Sequence, residues 1–159
     1  MSLYYFCFAS GFARKQVLGY LVFFVLFGVQ INLVFASPGE QDLARGEYLA
    51  RVGNCLGCHT AKGGIPFAGG RRLSTTFGTF VTPNITPDKE TGIGHWTEED
   101  FWLAMHEGKS RDGRMLYPAF PYTEFTKIIR ADVKLIFEYL QSIAAVSQVN
   151  PAHEIPFPY

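Results

Sequence analysis

Three residues that could do chemistry together lie within five positions of the chain, in the stretch NCLGCHTAKGG that begins at Asn54. Cys55 and Cys58 are three positions apart, and His59 follows the second cysteine directly. Thiols and imidazoles serve proteins as redox groups, nucleophiles and metal ligands. The whole sequence has 3 cysteines and 4 histidines, so this concentration indicates a shared chemical task.

Four kinds of site could use such a stretch. A structural disulfide suits an exported protein, but a loop this short constrains the unfolded chain little. A thioredoxin-like redox pair needs a βαβ setting, and the sequence has no strong strand pattern. Structural zinc needs a second pair of ligands at zinc spacing, which the sequence does not offer. The fourth is covalent haem attachment, for which C-x-x-C-H is the signature.

The haem interpretation has a geometric basis. Two thiols one helical turn apart lie on one face, where both can add to the vinyl groups of one haem. His59, the next residue, is then held against the iron as its proximal ligand. A haem would also add apolar bulk to a small core and account for an aromatic content of 16%. The sequence therefore favours one haem c, bound through Cys55 and Cys58 with His59 on the iron.

The N-terminal segment favours export. Residues 17–35 carry no charge, Arg14 and Lys15 precede them, and the small-residue stretch VFA ends at Ala36. This order is typical of a secretory signal peptide, residues 1–36, cleaved after Ala36. The apolar run is also near the length of a membrane span, so residues 17–35 could remain as an anchor. In both cases we expect the rest of the chain in the periplasm, where c-type haem attachment takes place.

Length and charge limit the possible functions. A chain of 159 residues with a formal net charge of zero predicts one domain and gives no sign of a nucleic-acid partner. Loss of residues 1–36 would remove Arg14, Lys15 and no acidic residue, which leaves 12 basic and 14 acidic residues. We therefore expect a small, nearly neutral exported domain.

The remaining chain divides into helical ends and a loop-rich middle. Helical spacing begins near Gln41 and runs toward Cys55, whereas the Gly, Pro, Asn and Thr content of residues 60–94 predicts turns. A second helix starts at Thr97, with Asp100 as the other half of a capping box, and stops at Gly108. The last helix has an apolar stripe at helical spacing: Val133, Ile136, Phe137, Leu140 and Ile143. Residues 148–159 form a proline-rich tail.

Four stretches in this order resemble a known family: RGEYLARVGNCLGCHT, FAGGRRLSTTFGTF, NITPDKETGIGHW and DGRMLYPAFPY. Residues 40–143 resemble a class I cytochrome c domain. More narrowly, they resemble the cytochrome c subunits of periplasmic membrane-bound dehydrogenases, such as alcohol and gluconate dehydrogenases. The resemblance implies an all-α class I cytochrome c fold over residues 37–147, wrapped around one haem. It also implies that the first and last helices cross, with Gly46 admitting Tyr139 or Phe137.

The same resemblance implies a function without substrate chemistry. We expect a single-haem electron carrier, not an enzyme, that takes electrons from a dehydrogenase and passes them to a quinone, another cytochrome or an oxidase. The alternative from another class is a haem sensor or small-ligand binder with an open sixth position. A peroxidase is disfavoured, because no distal His–Arg pair is evident in a suitable helix.

Family members suggest further contacts with the haem. Arg71 and Arg72 are candidates to pair with a haem propionate, although a solvated basic pair on a loop would look the same. Trp96 could lend its indole N–H to a propionate or simply fill the core. By analogy, the carbonyl of Ile65 or Pro66 is expected to accept the His59 N–H.

The sixth iron ligand is where this chain departs from its relatives. Related alcohol dehydrogenase subunits have a methionine within an LYPAMPY-like stretch, whereas this chain reads LYPAFPY, with Phe120 at that place. Three candidates precede it: Met105, His106 and Met115. The sequence favours Met115 because it lies in the irregular loop that the family uses, with an open sixth position as the alternative.

Overall fold

The computed structural model describes residues 38–156, so the N-terminal signal peptide or anchor predicted above lies outside the described residues. The described part has five helices and one hairpin: α1 (Pro38–Val52), α2 (Cys55–Cys58), β1 (Arg72–Thr75), β2 (Gly78–Val81), α3 (Glu98–Glu107), α4 (Tyr122–Phe125) and α5 (Arg130–Ser142). Within it, no helix has the length and apolar character needed to cross a membrane.

The first and last helices cross at Gly46. A Cβ atom at this position would lie 2.1 Å from the Leu135 carbonyl oxygen and 2.9 Å from the Tyr139 Cβ atom of α5. No side chain fits in that space, so glycine is what allows the two backbones to approach. The prediction that Gly46 marks the crossing is confirmed, and Tyr139 is the aromatic residue at the contact.

The core lies between α1, α3 and α5. On α5, Val133, Ile136 and Leu140 are fully buried, as the predicted stripe requires. Burial of each such side chain contributes about 1.5–3 kcal/mol. The cluster of buried residues consists of Ala50, Phe67, Ile93, Phe101, Met105, Val133, Ile136 and Leu140.

Helix α3 begins and ends as the sequence predicts. The Thr97 hydroxyl accepts from the Asp100 backbone N–H at 3.1 Å, and the Asp100 carboxylate accepts from the Thr97 backbone N–H at 2.8 Å. Gly108 ends the helix in the left-handed region, at φ 66°. Asp therefore completes a capping box in the place of the more usual Glu or Gln.

The loop-rich middle, for which the composition predicts turns, also contains a short β-hairpin. β1 and β2 are antiparallel, with Arg72 opposite Val81 and Thr75 opposite Gly78. Two residues, 76 and 77, join the strands, and Gly78 adopts φ 124°, which only glycine adopts easily. Each strand has four residues, too few to produce a clear alternation of apolar and polar positions in the sequence.

The C-terminal segment, residues 145–156, follows the surface of the loops; we call it the strap. Glu154 exchanges two backbone hydrogen bonds with Thr79 of β2, each 2.9 Å long. The Val81 N–H donates to Nδ1 of His153 at 3.0 Å. The predicted proline-rich tail is thus hydrogen-bonded to β2 at His153 and Glu154.

Candidate haem site

The cysteines lie on α2, a single helical turn. Asn54 precedes it in the left-handed region at φ 58°, and its carbonyl accepts from the Cys58 N–H at 3.1 Å. A Cβ atom on Gly57 would lie 2.0 Å from the Asn54 side-chain oxygen, so glycine between the cysteines lets that side chain fold over the turn. The His59 N–H donates to the Cys55 carbonyl at 2.8 Å, which extends the turn to the histidine.

The His59 ring is oriented by a backbone carbonyl. Its Nδ1 lies 2.8 Å from the Pro83 carbonyl oxygen. A carbonyl can only accept, so Nδ1 carries the proton and Nε2 keeps the lone pair that a metal binds. Burial lowers the pKa of the imidazole, and the hydrogen bond to Pro83 partly offsets this, so the neutral, metal-binding form is favoured.

The expectation that Ile65 or Pro66 supplies this carbonyl was wrong. The Ile65 carbonyl accepts instead from the Ala68 N–H at 3.2 Å, which closes a tight turn. The chain then passes through the hairpin and returns, so that Pro83, 24 positions after His59, lies against the ring. Gly69 permits the approach, since a Cβ atom there would lie 2.5 Å from the Pro83 carbonyl oxygen.

Both cysteines are free thiols, and each is half-buried. Burial raises the pKa of the Cys55 thiol from 9.0 to about 11. The other uses of the stretch gain no support: the described residues contain no cluster of three or more His, Cys, Asp or Glu that could hold a metal ion. Nor do they contain a βαβ unit. Two thiols on one turn, followed by an imidazole with Nε2 available, fit covalent haem c.

Arg71 and Arg72 lie near this turn but differ in their contacts. The Arg71 guanidinium donates to the Gly57 carbonyl on α2, whereas Arg72 forms an ion pair with Glu154 of the strap. Both line a cleft of about 570 Å³ whose other walls are Thr60, Lys62 and Gly70. The cleft begins beside His59 and is cationic, which suits the carboxylates of a cofactor. Arg71 is the better placed of the two, because Arg72 already has a carboxylate partner.

Trp96 packs against the core cluster and is half-buried. Its backbone N–H donates to the Ile93 carbonyl at 3.0 Å, so the turn before α3 fixes its position. Both roles considered from the sequence, core packing and a propionate contact, are compatible with this position.

The three candidates for the sixth ligand have different surroundings. Met105 is 4% exposed within the core. The His106 ring stacks on Trp102 with centroids 3.5 Å apart, its Nε2 lies 2.9 Å from the Ile128 carbonyl, and its Nδ1 is buried without a partner. Met115 is 64% exposed, in a loop closed by the Leu116 N–H on the Gly108 carbonyl at 2.6 Å. Of the two methionines, only Met115 has a sulfur outside the core.

Phe120 has a packing role. Its ring stacks on Phe125 with centroids 5.5 Å apart, and it packs against the core cluster. The side chain that replaces the family methionine thus fills apolar space.

Two residues near the site were missed from the sequence. Pro83 holds the histidine, and Asn84 beside it is 3% exposed and fully hydrogen-bonded. The available signal was a Pro-Asn pair in the stretch TPNITPD, which we interpreted only as a turn.

Comparison with known proteins agrees with this geometry. The family model for cytochrome c matches residues 43–144, which includes most of α1, all of α2 through α5 and the whole site. A cytochrome c domain implies covalently bound haem c.

Individual relatives carry related names. The chain is 51% identical over 117 residues to a nicotinate dehydrogenase subunit of Pseudomonas putida, covering 74% of this chain and 10% of that protein. It is 43% identical over 143 residues to the gluconate 2-dehydrogenase cytochrome c subunit of Pantoea cypripedii, covering 89% and 31%. It is 38% identical over 135 residues to the cytochrome c subunit of the quinone alcohol dehydrogenase of Gluconobacter oxydans, covering 84% and 28%.

The chain thus spans about a tenth to a third of the length of these curated relatives. The match of the family model, the paired thiols on one turn and the carbonyl-oriented histidine lead to one conclusion: the chain belongs to the cytochrome c family, with the class I fold.

Proposed function

We propose that this chain is an exported, single-haem electron carrier, which receives electrons from a dehydrogenase and passes them to a quinone, another cytochrome or an oxidase. It performs no substrate chemistry of its own. The observation that carries the proposal is His59, with its Nδ1 proton on the Pro83 carbonyl at 2.8 Å and its Nε2 lone pair available one residue after two free thiols. The single C-x-x-C-H stretch in the sequence supports one haem.

Each residue of the site has a proposed task. Cys55 and Cys58 form the two thioethers, and His59 binds the iron. The haem supplies a one-electron couple, and the protein tunes it through axial ligands, burial and hydrogen bonds. Arg71 is proposed to offset the charge of a propionate at the cationic cleft, and Arg72 to contribute there once its ion pair with Glu154 opens. Trp96, which packs against the core cluster, is proposed as a further propionate contact through its indole N–H.

Met115 is the proposed sixth ligand. Its side chain is exposed in the loop between α3 and α4, where the sulfur is not committed to the core. Met105 is buried, and His106 is held by Trp102 and the Ile128 carbonyl. Ligation by methionine and histidine raises the reduction potential of a haem relative to two histidines, which suits an acceptor of electrons from a dehydrogenase.

The proposed partner is supported by the relatives, and the proposed compartment is supported by the N-terminal segment. Three relatives are named as parts of dehydrogenases, which supports a dehydrogenase as donor. Residues 1–36 support export to the periplasm, either with cleavage after Ala36 or with residues 17–35 kept as an inner-membrane anchor.

The first experiment tests haem attachment. Protein produced with the c-type maturation machinery should keep its colour after denaturation and acid–acetone extraction. The double variant Cys55→Ser/Cys58→Ser should lose it, while Cys7→Ser, which changes the third cysteine outside the site, should not. Haem that extracts freely from the parent protein would contradict the proposal.

A second measurement separates a carrier from a sensor. A carrier whose sixth position is filled binds carbon monoxide poorly when reduced, whereas a sensor binds it readily. We expect the reduced parent protein to show little spectral change under carbon monoxide. Rapid, saturable binding would favour the haem sensor instead.

A further inference from the structure

Asn84 is a buried amide that uses its full hydrogen-bonding capacity. Its Nδ2 donates to the Thr91 hydroxyl at 2.9 Å and to the Val146 carbonyl at 2.7 Å. Its Oδ1 accepts from the Thr86 N–H at 2.9 Å and from the Thr86 hydroxyl at 2.8 Å. An amide side chain has two N–H donors and an oxygen with two lone pairs, so Asn84 is saturated. Its orientation is therefore fixed by four bonds.

Asn84 directly follows Pro83, whose carbonyl accepts the hydrogen bond from the His59 ring. On the other side of Pro83, the Thr82 carbonyl accepts from the Gly70 N–H and the Thr82 N–H donates to the Arg71 carbonyl, each at 2.9 Å. Proline has no N–H and a fixed φ, so the direction of its carbonyl depends on these flanking residues. The backbone of Thr82 thus holds the chain before Pro83, and the side chain of Asn84 holds the chain after it.

Asn84 also joins this loop to the strap. The Val146 carbonyl accepts from Asn84, and the Val146 N–H donates to the Thr86 hydroxyl at 3.2 Å. The Gln148 N–H donates to the Thr91 hydroxyl at 3.1 Å. The side chains of Asn84, Thr86 and Thr91 thus hold both the loop that contains Pro83 and the strap that packs against it.

We propose that Asn84 is a positioning residue for the haem iron: by fixing the Pro83 peptide, it sets the strength of the hydrogen bond from the His59 Nδ1–H and so the reduction potential. The inference rests on the proposed haem site. A carbonyl that accepts this proton makes the imidazole a stronger donor to the iron, which favours the ferric state. A Pro83 carbonyl that is held less firmly accepts a weaker hydrogen bond from His59, which favours the ferrous state.

The test compares three variants loaded with haem. In Asn84→Ala the amide is lost, and we expect the potential to rise, with the reduced state favoured about three- to tenfold, or up to about 59 mV for one electron. The Nδ1 proton of His59, followed by NMR of the reduced protein, should exchange faster with solvent. Thr86→Val removes one hydroxyl from the same network and should shift both quantities in the same direction by less.

Asn150→Ala is the matched control. Asn150 donates to the Ala68 carbonyl at 2.9 Å and accepts from the Gln148 side chain. It therefore holds the strap at Ala68, and it reaches the Asn84 network only indirectly, through the backbone of Gln148. This variant should lower the melting temperature and leave the potential and the proton exchange unchanged. A change in potential as large as that of Asn84→Ala would show that general loosening is responsible and would overturn the inference.

The outcomes also separate this inference from the proposed function. If no variant or parent binds haem covalently, the haem site itself is wrong. If Asn84→Ala and Thr86→Val carry haem and keep the parental potential and proton exchange, the site stands and the role of Asn84 is refuted. If Asn84→Ala does not fold, Thr86→Val decides the question.

Discussion

The sulfur of Met115 is the group on which the redox properties of the proposed site depend most. We expect Met115→Ala to lower the reduction potential and to open the reduced iron to carbon monoxide, because a thioether ligand would be lost. Redox titration and carbon monoxide difference spectra measure the two effects.

Two control variants make this prediction specific. Met105→Leu replaces a buried methionine with a side chain of similar volume and should change stability by less than about 1.5 kcal/mol with an unchanged potential. His106→Gln should likewise keep the parental spectrum. If the reduced iron binds carbon monoxide in His106→Gln and not in Met115→Ala, then the buried Nδ1 of His106 is the ligand.

The Cys55 thiol gives a pH-dependent prediction for the haem-free chain. Burial raises its pKa from 9.0 to about 11 in the fold, so the folded state retains the proton that the unfolded state loses. Stability from this group is present below pH 9 and is lost as the pH rises toward 11. At pH 8 the thiolate fraction should be about a hundredfold smaller in the folded chain than in urea. Alkylation of Cys55 by iodoacetamide, followed by mass spectrometry, should be slower in the folded chain, but by less than this factor, because a thiolate of higher pKa is more nucleophilic. Equal rates would contradict the burial of this thiol.

At the scale of elements, the close crossing of α1 and α5 depends on the absence of a side chain at Gly46. Gly46→Ala would place a Cβ atom 2.1 Å from the Leu135 carbonyl oxygen, which forces the helices apart. We expect a loss of about 1–3 kcal/mol in the free energy of unfolding, measured by denaturant titration.

Gly39→Ala provides the comparison within the same helix. A Cβ atom at Gly39 meets no heavy atom within 4 Å, and alanine is favoured over glycine in helices by up to about 1 kcal/mol. This variant should be neutral or more stable. A Gly46→Ala protein as stable as Gly39→Ala would show that the helices do not cross closely at that point.

At the scale of the whole molecule, the extent of the mature chain is the main prediction. Cleavage after Ala36 would give a periplasmic protein that begins at Ser37, and intact mass should show the loss of residues 1–36. If the mass includes those residues and the protein stays with the membrane fraction, residues 17–35 act as an anchor. The folded domain is expected to be the same in both cases, because α1 begins at Pro38.

The sequence by itself determined the features that depend on local spacing. The C-x-x-C-H stretch indicated the turn that is the proposed haem-binding site, because two thiols and an imidazole within five residues have few other uses. The apolar stripe of α5 and the capping box of α3 were readable because they repeat at helical spacing or lie within three residues. Gly46 was identified through the resemblance to the family, and the structure supplies its reason in the contact with Leu135.

Only the tertiary structure decided which distant residues meet. The carbonyl that orients His59 comes from Pro83, 24 positions away, because a hairpin with strands too short to be recognised in the sequence returns the chain to the site. Asn84 looked like a turn residue, yet it is buried, since Val146 reaches it from 62 positions further along the chain. Backbone carbonyls and single amides leave no periodic pattern in a sequence, so their roles become visible only when the loops and the strap pack together.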